Sequence, residues 1–182
     1  MCSYSIFDCC PCRFLLKLKQ WEYKDIKVFG KPCTMHRKTC AFTSRPSVHY
    51  RYSGIDHHGS EFPAQVIEIR DRVNEILRCE YDFNYCLLNY YKDGTENLGM
   101  HADDERDLLG PIASVSFGAE RHFDIHHKIN KETKLRIDLA NGSLLLMAGD
   151  TQKNYKHGVP TQRNVILPRV NLTFRIVADK RV

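Results

Sequence analysis

At 182 residues the chain is long enough to bury one sizeable core and too short for two. A hydrophobic fraction of 42% and a charged fraction of 27% are those of a soluble globular protein, and no apolar run approaches the length of a membrane span. The net charge of +5 and pI near 8.7 allow a polyanionic partner without requiring one.

Four of the eight cysteines (Cys2, Cys9, Cys10, Cys12) crowd the N-terminus, and the others (Cys33, Cys40, Cys79, Cys86) are scattered. No charged segment followed by an apolar one marks a secretory signal, so reduced thiols are expected rather than a disulfide framework. The cluster Cys9-Cys10-Pro11-Cys12 could take a metal, or a lipid beside the basic stretch Arg13 to Lys19, but its spacing matches no zinc motif and a frayed tail is the simpler reading. Residues 1–25 read as an extension. Ile26-Lys27-Val28-Phe29-Gly30-Lys31-Pro32 predicts a hairpin or projecting turn, and His49 to Tyr52 a short strand. From Pro63 to about Cys79 the apolar residues Val66, Ile69, Val73, Ile76 and Leu77 recur at helical spacing, with Pro63 in the first turn. The pattern then changes to strands at Asn84–Tyr91, Ile112–Phe117, His122–His126, Leu135–Leu139, Ser143–Met147 and Val170–Val177, with turns at Lys92-Asp93-Gly94 and Asn141-Gly142. The expected class is α+β, mainly β: a jelly-roll or barrel flanked by helix, able to hold a ligand inside.

The last strand carries the first chemical signal. In extended chain Val170, Leu172, Phe174 and Ile176 share one face, while Arg169, Asn171, Thr173 and Arg175 share the other. The two arginines lie roughly 20 Å apart along an ideal strand, and side chains leaning inward leave a gap of about 8 Å between two bidentate carboxylate sites. A short dicarboxylate fits that gap, although the polar, solvent-facing side of an antiparallel strand has the same pattern. His101-Ala102-Asp103 and the later His157 supply the second signal. Two histidines and one carboxylate form a facial triad that leaves open positions and suits non-haem Fe(II). A zinc hydrolase could use the same ligands, but would leave the arginines without a task. An Fe(II) site beside a dicarboxylate site describes a 2-oxoglutarate-dependent oxygenase.

With these residues in place the chain resembles the AlkB family of Fe(II)/2-oxoglutarate dioxygenases over roughly residues 26–178. The resemblance rests on Asn89-Tyr90-Tyr91-Lys92-Asp93-Gly94, His101-Ala102-Asp103-Asp104-Glu105-Arg106, residues 111–119, Gly142-Ser143-Leu144-Leu145 and Pro168-Arg169-Val170-Asn171-Leu172-Thr173-Phe174-Arg175. It implies a double-stranded β-helix core flanked by helix over residues 61–182, preceded by nucleotide-recognition hairpins over 26–60. It further implies Fe(II) on His101, Asp103 and His157, with 2-oxoglutarate and O2 as cosubstrates. Asn89, Tyr91, Arg169, Asn171, Thr173 and Arg175 are then the 2-oxoglutarate contacts, with Arg169 on the distal carboxylate and Arg175 near the chelating end.

Within the family the chain looks most like the animal branch that repairs double-stranded DNA. Val28-Phe29-Gly30-Lys31 matches that branch's finger hairpin, with Arg37 downstream, and His49 to Gly54 its aromatic substrate wall. The resemblance implies that Phe29 fills the gap left by a flipped base, that Tyr50, Tyr52 and Ser53 line the base pocket, and that Glu105 receives an exocyclic amine. The implied activity is oxidative demethylation of 1-methyladenine and 3-methylcytosine in DNA by a monomer, nuclear or, in a prokaryotic source, cytoplasmic, with formaldehyde released and no membrane partner. RNA or single-stranded DNA is the alternative substrate, and a catalytically silent nucleic-acid-binding module the alternative class. Two departures bear on the choice: Gln162-Arg163-Asn164 stands where the branch has a basic triplet, and the connection from His126 to Lys134 is short.

Overall fold

A computed structural model describes residues 12–28, 31–52 and 55–179 of the chain. Its order is α1 (Cys12–Leu16), β1 (Glu22–Val28), β2 (Lys31–Thr43), β3 (His49–Tyr52), β4 (Ile55–His58), β5 (Ser60–Glu61) and α2 (Ala64–Leu77). There follow β6 (Tyr85–Tyr91), β7 (Leu98–His101), β8 (Ile112–Gly118), β9 (Arg121–His127), β10 (Lys134–Leu139), β11 (Leu144–Met147), α3 (Thr151–Asn154), β12 (Tyr155–Val159) and β13 (Arg169–Arg175). The larger sheet runs β1-β2-β6-β13-β8-β11 with β5 on β2, the smaller runs β10-β9-β12-β7, and β3 and β4 form a separate hairpin. This is the mainly β architecture expected, with every strand predicted after the helix present to within a residue or two at each end.

The core has two layers, divided by the larger sheet. On its outer face Val66, Ile69 and Val73 of α2, together with Leu15 of α1, pack against Leu88, Val115, Val170, Leu172 and Phe174. On its inner face Tyr91, Ile112 and Met147 meet Phe123, Leu139 and Val159 of the smaller sheet side. β13 lies between β6 and β8, and with α2 on one face and the smaller sheet on the other, both of its faces are buried along the whole strand. The alternation read from the sequence thus puts Val170, Leu172 and Phe174 under the helix and turns Arg169, Asn171, Thr173 and Arg175 inward, between the sheets. A solvent-facing side is excluded.

Pro63 is the N-cap of α2, in extended conformation with φ −71° and ψ 152°, rather than a residue of its first turn. Its carbonyl accepts the first helical N–H bonds, from Val66 and Ile67. At the other end Arg78 takes a left-handed conformation at φ 50° and its N–H returns to Asn74 and Glu75, which closes the helix without glycine. Several elements escape an alternation-based reading, among them β7, which ends in His101, and two others. β2 runs 13 residues as the second strand of the sheet, and β12 carries His157 through a register irregularity at Gly158. A Cβ at Gly158 would stand 2.8 Å from the Leu98 carbonyl, so the close approach of β12 to β7 needs glycine there. Cys33, Cys40, Cys79 and Cys86 are free thiols, and among the described residues no helix is long and apolar enough to cross a membrane.

Candidate active site

The site forms where β7 and β12 of the smaller sheet face β6 and β13 of the larger. His101 and His157 are direct cross-strand neighbours, with ring centroids 4.4 Å apart, and Asp103 follows two residues after β7 ends in His101. One ligand atom from each of His101, Asp103 and His157 lies within 4.8 Å of the others. Each of the three residues is held from behind. The Gly99 carbonyl lies 2.9 Å from His101 Nδ1, which leaves Nε2 for the site; Phe123 stacks on His157 at 5.2 Å; and Gln152 Oε1 accepts the Asp103 backbone N–H at 3.0 Å.

Burial lowers the pKa of both histidines: His101 falls below its ordinary value, and His157, with His101 adding to the effect, is pulled down to about 4. Burial alone would push the Asp103 carboxyl up, but Arg175 and the two histidines outweigh it and hold it below the ordinary carboxylate range. At neutral pH the triad therefore presents two neutral imidazoles and one carboxylate, which is the protonation state a metal requires.

The cavity beside the triad is walled by Arg37, Asn89, Tyr91, Arg169, Asn171 and Arg175, among others. Strand register explains the grouping: Arg169 sits opposite Tyr91, and Asn171 opposite Asn89. Arg175 Nη2 donates to Asp103 Oδ2 at 3.1 Å, and Arg169 Nη2 donates to Ser116 Oγ at 3.0 Å. Asn171 Nδ2 is held by Ser114 Oγ at 2.8 Å and the Val115 carbonyl at 3.0 Å, while Thr173 donates to the Leu87 carbonyl at 2.8 Å. Asp103 Oδ1, Arg169 Nε and Nη1, and Arg175 Nε are buried with no hydrogen-bond partner among the described residues. Buried donors and a carboxylate oxygen left in this state call for a ligand. The unpaired carboxylate oxygen among imidazoles fits Fe(II), and the two arginines fit the ends of a dicarboxylate.

Next to Arg175, Tyr50 is fully buried, with its ring 5.1 Å from the guanidinium, and its hydroxyl donates to Glu105 Oε2 at 2.6 Å. Burial raises the Glu105 carboxyl above its ordinary range, against the opposing Tyr50 bond. Asp104 pairs instead with Lys128 at 2.9 Å. Arg37, expected among the substrate contacts, is placed within the cavity, where Nε donates to Asn89 Oδ1 at 2.6 Å. Phe29 and Ser53 lie outside the described residues, as does the side chain of Tyr52. Sequence reasoning missed Gln152, Ser114, Ser116 and Arg121. The serines were legible as inward positions of the strand Ile112–Phe117, whereas Gln152 on a four-residue helix carries no local signal.

A mainly β fold with a His-Asp-His cluster beside paired arginines defines a class, and comparison agrees. The chain belongs to the 2OG-Fe(II) oxygenase superfamily, whose family model matches residues 11–175. Within the superfamily it is of the AlkB type, 39% identical over 159 residues to DNA oxidative demethylase ALKBH2 of Mus musculus, covering 82% of this chain and 65% of that protein. It is 34% identical over 203 residues to the ALKBH2 of Arabidopsis thaliana, covering 96% of this chain and 62% of that protein. Identity to alpha-ketoglutarate-dependent dioxygenase alkB homolog 3 of Mus musculus is 38% over 139 residues, covering 70% of this chain and 48% of that protein. The chain thus spans less than two thirds of the length of these curated relatives. A solved structure of OsALKBH1 shares the fold, with a TM-score of 0.59 and 21% identity over 90% of this chain and 88% of that one.

Proposed function

We propose that this chain is an oxidative demethylase of alkylated DNA, acting on 1-methyladenine and 3-methylcytosine in the nucleus as a monomer. The observation that carries the reading is the adjacency of the His101-Asp103-His157 cluster to a cavity with unpaired buried guanidinium donors. His101, Asp103 and His157 would hold Fe(II), which with 2-oxoglutarate and O2 supplies the oxidising power to hydroxylate an N-methyl group. Arg169 takes the distal carboxylate of 2-oxoglutarate. Arg175 fixes Asp103 and adds positive charge at the chelating end, and Asn89, Tyr91, Asn171 and Thr173 complete the wall.

On the substrate side Tyr50 holds Glu105, whose carboxyl can accept the exocyclic amine that adenine and cytosine share. A base flipped from the duplex would enter beside Tyr50, Tyr52 and Ser53 while Phe29 fills the vacated stack. A methylated base is cationic, which an aromatic wall and an acid both favour. The hydroxylated methyl group leaves as formaldehyde and the ring nitrogen of the base keeps the electron pair.

A second reading, the same chemistry on RNA or single-stranded DNA, is favoured by one observation. Gln162, at the head of the segment that replaces a basic triplet, is committed inward: its Oε1 accepts from Arg121 Nε at 3.1 Å and from the His122 backbone at 2.7 Å. It is not free to meet a phosphate. Incubation with Fe(II), 2-oxoglutarate and matched single- and double-stranded oligonucleotides carrying 1-methyladenine, read by mass, separates the two. Demethylation of duplex that Phe29→Ala abolishes selectively supports the first reading; equal activity of parent and variant on both forms supports the second. No demethylation of any oligonucleotide would refute both.

A further inference from the structure

Arg121, the first residue of β9, is among the largest fully buried side chains of the protein, yet it stands behind the cavity wall and not in it. A buried guanidinium is costly unless its donors are matched. Here Nε donates to Gln162 Oε1 at 3.1 Å, Nη1 to the Asp93 carbonyl at 3.1 Å, and Nη2 to the carbonyls of Glu96 at 2.9 Å and Pro160 at 2.8 Å. All of these acceptors are neutral: the donors are satisfied without a direct ion pair, and the Asp93 and Glu96 carboxylates act on the charge only through space.

That charge lies against Tyr91, 5.5 Å from the ring centroid, and the same ring meets the Arg169 guanidinium at 5.2 Å. Tyr91 is also the cross-strand neighbour of Arg169. Two cations therefore share one aromatic ring, and of the two only Arg169 reaches the cavity, with Nε and Nη1 unpartnered. Burial draws Arg169 down to about 10; Tyr91 opposes that fall and Arg121 adds to it.

Holding the loops together does not by itself require this cation. The segment after β6 and the segment after β12 are already joined by Gly94 N to Val165 O and Gln162 N to Gly94 O, both at 2.7 Å. What the backbone cannot supply is a fixed positive charge behind the Tyr91–Arg169 pair.

We propose that Arg121 is a positioning residue for cosubstrate selection: acting through Tyr91, it holds Arg169 in place and adds positive potential at the distal end of the cavity, so that a keto acid whose second carboxylate reaches Arg169 is chosen over an acid too short to place a carboxylate there. This rests on the reading that the cavity takes 2-oxoglutarate. The field of a buried cation reaches past its nearest contacts because little water screens it.

The test uses the full chain loaded with Fe(II) under anaerobic conditions and compares dissociation constants for 2-oxoglutarate and for oxalate by calorimetric titration. Oxalate can chelate the metal but is too short to reach Arg169. Arg121→Gln is expected to weaken 2-oxoglutarate roughly tenfold while leaving oxalate within about twofold, since only the former engages the distal charge. Arg121→Lys, which keeps the charge but loses the planar fork, should fall between and weaken 2-oxoglutarate about threefold. If Arg121→Gln does not fold, Arg121→Lys carries the test with the same comparison. Parallel weakening of both ligands would reduce Arg121 to a structural strap and overturn the proposal, as would no change in either. Failure of the underlying reading has its own signature: the parent chain would bind 2-oxoglutarate no more tightly than oxalate, and Arg169→Leu would leave their ratio unmoved. That result overturns the proposal together with the reading beneath it.

Discussion

Arg175→Met tests whether the metal cluster depends on a buried ion pair. Arg175 Nη2 and Asp103 Oδ2 are 3.1 Å apart, and the two side chains are 4% and 2% exposed. Removing the cation leaves the carboxylate beside two imidazoles that burial keeps neutral, a situation that costs about 3–5 kcal/mol. The same change removes the desolvation of Arg175 itself and fills part of its volume, so the low end, about 3 kcal/mol, is the expected net loss. For a chain of this size that is a fall in Tm of roughly 6–12 °C. A divalent cation on the triad would serve the same carboxylate, so the deficit should shrink to about 1 kcal/mol in protein saturated with Mn(II). Thermal melts of parent, Arg175→Met, Asp103→Asn and the double variant, with chelator and with Mn(II), provide the comparison. The double variant should lose less than the two single losses combined. Equal losses with and without metal, or strict additivity, would refute the reasoning.

Three further outcomes follow from single features. His157 is held near 4 by burial and by His101, below its ordinary 6.5, so its neutral form is favoured by folding. That contribution is complete above the unfolded value and is lost as pH falls through the folded one, so the metal-free chain should lose roughly 3 kcal/mol between pH 6.5 and 4, read as urea midpoints and flattened in His157→Gln. Gln152→Leu frees the Asp103 backbone and should weaken Mn(II) binding about tenfold by spectroscopic titration while moving Tm little. In Gly94→Ala the new Cβ would stand 1.7 Å from the Gln162 carbonyl, so the joined loops must part, at a cost of about 3 kcal/mol measurable by denaturant titration.

What was legible in the sequence was whatever repeats at a fixed period. The inward set Arg169, Asn171, Thr173 and Arg175 follows from alternation alone, and α2 from its apolar spacing. The sequence could not say that β13 lies between β6 and β8 in the middle of a sheet covered on both faces; that depends on pairings between residues 51 to 90 positions apart. Arg37 illustrates the cost. The resemblance sets it downstream of the finger hairpin among the substrate contacts, whereas its position in β2, two strands from β13, carries it into the cavity. Arg121 and Gln152 were invisible for the same reason, since their partners come from distant loops and leave no trace of spacing nearby.

The charges of the cavity wall have a consequence for the order in which ligands bind. Arg37, Arg169 and Arg175 face Asp103, three cations against one anion, with both histidines neutral at physiological pH. Fe(II) adds two further positive charges to that imbalance and 2-oxoglutarate removes two. Each ligand therefore improves the site for the other, and the metal should sit more tightly when the dicarboxylate is present. Coupling of this kind is reciprocal, so the factor by which 2-oxoglutarate tightens Mn(II) must equal the factor by which Mn(II) tightens 2-oxoglutarate. Because two buried arginines receive the dianion, the coupling should survive moderate salt, and a factor of roughly ten or more at 0.15 M ionic strength is expected. Titration of each ligand with and without the other measures both factors. Independent binding of the two would mean that the excess charge is neutralised within the protein, and that the arginines of β13 are not the cosubstrate site.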